Sequence, residues 1–126
     1  MEGIKKRVNK EADLTVYTAR GTVSGEEIKN AIRDFYEHGP VTRNVIWDVS
    51  QAELTGLDPE DVRRIAHVPR KSLELREGGK TAIVAPNDLA FGLSRMYQSN
   101  SPPEDLPFDI QVFREAEAAQ QWLTEK

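Results

Sequence analysis

Two short apolar runs, "NVIWDV" at 44–49 and "KTAIVA" at 80–85, constrain this chain more than any other feature. Each is too brief for a buried helix, rich in β-branched residues, and bounded by turn chemistry, so each reads as an interior strand. A helix-start signal follows both. After the first run "SQAELTGL" reads as a turn, and Asp58-Pro59-Glu60-Asp61 opens a helix. Asp58 is its N-cap, Pro59 takes the first helical position, and the acids lie where the backbone dipole favours negative charge. After the second run, Pro86-Asn87-Asp88 is a further start. Strands alternating with helices in this way specify parallel crossovers and an α/β fold.

The remaining elements extend the pattern. Residues 4–9 and 13–20 read as two strands joined by the polar "KEAD", an antiparallel hairpin. Ser24 stands three residues before Glu27, the spacing of a reciprocal capping box. Ile28, Ala31, Ile32, Phe35 and Tyr36 then follow at helical spacing, and Gly39-Pro40 ends that helix. In the helix opened by Asp58, Val62, Ile65 and Ala66 face inward, and Pro69 stops it near Val68. Leu89, Gly92, Leu93, Met96 and Tyr97 form an apolar stripe on a third helix, and "SNSPPEDLP" is a loop. Phe108, Ile110 and Val112 alternate with polar residues in a last strand, and "EAEAAQQWL" closes as a helix docked through Ala119, Trp122 and Leu123. The expected order is β-β-α-β-α-β-α-β-α. That is a mixed five-stranded sheet in one domain over 1–126, with four main helices chiefly on one face and the other face partly open.

Composition narrows the function classes. The 126 residues suit one domain, no apolar run approaches the length that crosses a bilayer, and there is no cysteine or export-signal pattern. A cytoplasmic protein is expected. A net charge of −4 argues against general affinity for nucleic acid. Between Arg63 and Lys80, however, six basic residues (Arg63, Arg64, Arg70, Lys71, Arg76 and Lys80) meet only Glu74 and Glu77, which reads as the solvated side of a helix.

"EGGKT" at 77–81 has the tail of a phosphate-binding loop, but Glu74 stands where its first glycine belongs. The glycines also precede their strand, whereas open α/β sheets bind ligands beyond the carboxyl ends of strands. They read as a cap and turn. His38 and His67 lack ligand spacing, so no metal or cofactor is expected. His67 is a general base only if a hydroxyl such as Ser50, Ser72 or Ser94 comes near it, and no Gly-x-Ser-x-Gly turn exists. A non-enzymatic protein is the reading. The candidate rim at the strand ends comprises Asp48, Ser50, Thr55, Asp58, Asn87 and Asp88. A second candidate is an apolar pocket near the open sheet face, formed by Trp47, Phe91, Leu93, Met96 and Tyr97.

"NVIWDVSQAELTGLDPEDVRRI", together with "GGKTAIVAPNDLAFGLSRMY" and "VFREAEAAQQWL", resembles the bacterial STAS-like, SpoIIAA-like domains with the anti-sigma-factor-antagonist fold. That resemblance spans nearly the whole chain. It implies a regulatory or protein-interaction module that presents the start of its second helix to a protein partner, with a homodimer among its assemblies. It also exposes a departure: phosphorylated members carry Asp-Ser-Ser-Gly at that helix start, and here Gly56-Leu57-Asp58-Pro59 takes the place, with Asp58 at the accepting hydroxyl. Thr55 is the nearest hydroxyl and Ser50 the next. The alternative implied by a related fold is a carrier of a small apolar ligand or lipid, without membrane insertion.

Overall fold

A computed structural model describes residues 3–101 and 103–125. Five strands, β1 (Gly3–Asn9), β2 (Leu14–Thr22), β3 (Asn44–Glu53), β4 (Lys80–Val84) and β5 (Asp109–Phe113), form one sheet in sequential order. β1 and β2 are antiparallel and every later pairing is parallel. Helices α1 (Gly25–His38), α2 (Pro59–Ala66) and α3 (Asp88–Ser99) are the crossovers, and α4 (Ala116–Thr124) follows the last strand.

This topology decides where the helices go. Strands laid down one after another in a single direction, each joined by a right-handed crossover, put every crossover helix on the same face. Accordingly Ile32, Val62 and Leu93 of α1, α2 and α3 pack with Tyr17, Val45, Val49 and Ile83 of the sheet. α4 is no crossover and takes the opposite face, where Ala119 is fully buried with Ile46, Ala82 and Val84, and Trp122 and Leu123 flank it. Leu14 and Val16 extend that second face toward β1, where Lys5 and Arg7 are exposed on an edge strand that charge protects from further pairing.

The caps follow the sequence closely. Ser24 and Glu27 form the reciprocal box on α1, Asp58 and Asp61 form another on α2, and Asn87 accepts from the Ala90 N–H on α3. Two readings need correction. "SQAE" is not turn but the continuation of β3, because one extra β3 residue is accommodated between the pairs Thr18/Asp48 and Arg20/Gln51. This bulge changes the parity of the strand: Val45, Trp47 and Val49 face the three-helix layer before it, Ala52 and Leu54 after it. On α3 the buried residues are Ala90, Leu93 and Ser94, and Leu89 is exposed, so the inward stripe lies one position further along than expected.

The glycine pair is a packing device. Gly78 has φ +75 and donates its N–H to Pro107 O at 2.9 Å. A Cβ on Gly79 would overlap the carbonyl oxygen of Arg43 and lie 2.9 Å from both the Arg43 carbonyl carbon and Arg76 O. Two backbones meet there at a distance only glycine permits.

Candidate functional site

The polar rim is built, but nearly every member is engaged within the chain. Asp48 Oδ1 accepts the Ser50 N–H at 3.0 Å and the Ser50 hydroxyl at 2.6 Å, clasping the β3 bulge. Asp58 and Asn87 cap α2 and α3, with Asp61 N to Asp58 Oδ1 at 2.8 Å and Ala90 N to Asn87 Oδ1 at 2.8 Å. Asp88 is exposed and receives Arg114 Nη1 at 2.9 Å. Thr55 lies exposed in the turn ahead of α2. His67 caps the C-terminus of α2, its Nδ1 2.8 Å from Arg63 O. Among the described residues, no three His, Cys, Asp or Glu side chains gather as a metal site, and no helix is long and apolar enough to cross a membrane.

A second feature lies under the three-helix layer. An apolar cavity of about 80 Å³, partly open to solvent, is lined by Ile28 and Ile32 of α1, Val62 and Ile65 of α2, and Leu93, Ser94 and Tyr97 of α3. Trp47, Val49 and Ile83 form its floor, and Leu54 and Leu57 come from the connection to α2. Trp47, Leu93 and Tyr97 therefore share one cavity. It sits on the helix-covered face, not near the open one, because the three crossovers leave a gap over the centre of the sheet. Phe91 and Met96 lie outside its lining: Phe91 carries the Arg114 guanidinium 4.2 Å from its ring centroid, and Met96 packs at the edge of the core. Trp47 is the telling residue. It occupies a central strand beneath helices and stacks on Tyr17 at 4.5 Å, yet it is only partly buried.

A smaller cavity of about 20 Å³ adjoins the first, sharing Ile32, Trp47 and Tyr97. Its polar end holds Arg70 and Arg76. The reading of residues 63–80 as a solvated cationic face fails at Arg76, which is 2% exposed. Its Nε donates to Arg43 O (3.1 Å), Nη1 to the Tyr36 hydroxyl (3.1 Å), and Nη2 to Lys80 O (3.1 Å) and Thr81 Oγ1 (2.8 Å). The guanidinium lies 3.7 Å from the Phe108 ring centroid. Burial pushes its pKa below the ordinary value, and the Tyr36 hydroxyl works against that shift. Nothing local in the sequence announces this. Arg76 stands two residues ahead of Gly78, and the close backbone approach at the glycine pair is the one hint that its side chain is enclosed.

No family model matches the sequence, and neither does any curated protein. Among solved structures the chain is similar to an uncharacterized protein of the DUF3478 family with a SpoIIAA-like fold from Shewanella loihica PV-4. The TM-score is 0.58 and the identity 14%, with 98% of this chain and 95% of that one covered. The chain thus has a SpoIIAA-like fold, as its residues implied.

Proposed function

We propose that this chain is a non-enzymatic binding module that takes a small apolar molecule into the cleft between its three crossover helices and Trp47. The reading rests on one observation: a tryptophan on a central strand, under a helix layer, remains partly accessible at the floor of an apolar cavity of about 80 Å³. Protein interiors pack to near-crystalline density, so a gap over an interior aromatic marks a place where another molecule completes the packing. The rim supports a ligand less well, since Asp48, Ser50, Asp58, Asn87 and Asp88 are already committed to a bulge, two caps and an ion pair.

The expected affinity is modest. A ligand that loses about 150 Å² of apolar surface to the cleft gains roughly 4 kcal/mol from burial, before the entropy of immobilisation opposes it. Trp47 reports on occupancy once Trp122, the second of the two tryptophans, is replaced by Phe. Titrating the Trp122→Phe protein with 1-octanol should change Trp47 emission saturably. Ser94→Leu, which adds apolar bulk to the cavity wall, should weaken the response several-fold. An emission spectrum unmoved by octanol up to its solubility would remove the proposal.

A further inference from the structure

Arg70 and Arg76 line the smaller cavity beside the cleft with no acid next to them. Among the described residues, no carboxylate lies within 4.0 Å of either guanidinium. Each of the eight ion pairs of the described residues instead involves a partly exposed side chain, in a chain whose net charge is −4. Acids are plentiful here, yet the most enclosed cation has none. A guanidinium offers five N–H donors. Arg76 uses four of them on carbonyl and hydroxyl oxygens, and Nη1 keeps one donor beyond its bond to Tyr36. Neutral acceptors satisfy hydrogen bonds but leave the buried charge uncompensated.

A second cation lines the same small cavity. Arg70 is half-buried on the segment that follows α2, and its Nη2 donates to the Tyr97 hydroxyl at 3.1 Å. Both arginines line the cavity of about 20 Å³, which has room for a water-sized group and shares Ile32, Trp47 and Tyr97 with the apolar cleft. An apolar cleft beside two acid-free guanidinium groups fits a molecule with an apolar body and a compact anionic end.

We infer that the ligand of the cleft is an apolar carboxylic acid, its carboxylate set against Arg70 and Arg76 and its chain lying over Trp47. The inference rests on the apolar-ligand reading above and adds the head group. A planar carboxylate presents two oxygens to the guanidinium fork and is the more compact anion, whereas a tetrahedral phosphate is bulkier.

The test compares octanoate with 1-octanol at pH 7 on the Trp122→Phe protein, by Trp47 emission and calorimetry. Octanoate should bind about tenfold or more tighter, the scale of one charge-assisted hydrogen bond. Arg70→Gln, a change at a half-buried site, should erase most of that preference, lowering octanoate affinity several-fold more than octanol affinity. Arg76→Lys, with its fold checked by thermal unfolding, should do the same, because an ammonium keeps the charge and loses the fork. Equal affinity for the acid and the alcohol would overturn the head-group assignment while leaving the apolar site standing. An undiminished preference in Arg70→Gln would place the anion elsewhere, and tighter binding of octyl phosphate would replace the carboxylate. Failure of both octanoate and octanol to bind would remove this inference together with the apolar-ligand reading.

Discussion

Replacing Gly79 with alanine should damage the fold far more than its position in a surface-looking "EGGKT" suggests. The added methyl would overlap the Arg43 carbonyl oxygen and lie 2.9 Å from Arg76 O, and both obstacles are backbone that cannot rotate away. Relief requires the 76–80 segment to move away from Arg43. That movement strains the hydrogen bonds from Arg76 Nε to Arg43 O (3.1 Å), from Gly78 N to Pro107 O (2.9 Å) and from Asp109 N to Gly79 O (3.1 Å). Overpacking costs about 1–3 kcal/mol, and each weakened hydrogen bond adds about 1. The lower entropy of unfolded alanine returns less than about 1 kcal/mol. The net expectation is a loss of roughly 3–5 kcal/mol from a total stability of about 5–15, or a fall of roughly 10–20 °C in Tm. Urea and thermal unfolding followed by circular dichroism would measure it. A Gly79→Ala protein within about 1 kcal/mol of the parent would refute the close backbone approach and reopen the glycine pair to other roles.

Gly92, exposed on α3 with open space around its Cβ position, should respond in the opposite direction: Gly92→Ala should stabilise by up to about 1 kcal/mol in the same urea titration. Asp58→Ala should cost about 1 kcal/mol by removing half of the α2 capping box, while Asp58→Ser, which keeps an oxygen for the Asp61 N–H, should stay within a few tenths. Burial, with Asp34 and Tyr36 adding to it, raises the Tyr17 pKa well above the ordinary 10.0. A raised folded-state pKa contributes stability that is fully present below the unfolded value and is lost as pH rises above it. Stability should therefore fall as pH passes about 10, and Tyr17→Phe should flatten that decline in pH-dependent urea unfolding.

What could be read from sequence was local chemistry. The capping pair Ser24/Glu27, the Asp58 and Asn87 caps and the Pro59 start act within one turn, so residue spacing announces them. The order of strands and helices followed, and with it the parallel topology. The β3 bulge was not legible, because a register step between β2 and β3 is a property of two strands. Ser50 consequently looked like a turn residue at a binding rim, when its hydroxyl is held by Asp48 inside the strand. Arg76 was hidden for a similar reason: its contacts to Tyr36 and Arg43 span 40 and 33 positions of chain. The cleft draws its walls from three helices, two strands and a loop, so only Trp47, Leu93 and Tyr97 of the five apolar residues singled out in the sequence line it.

The most direct test of the account is where an apolar ligand sits. Side-chain NMR of the full chain titrated with octanoate should shift the Trp47 indole, the Leu57 and Leu93 methyls and the Tyr97 ring together, and leave Trp122 and Phe113 on the α4 face unmoved. Shifts that cluster around Trp122 and Phe113 instead, or no saturable shifts at all, would contradict a binding cleft beneath the three crossover helices.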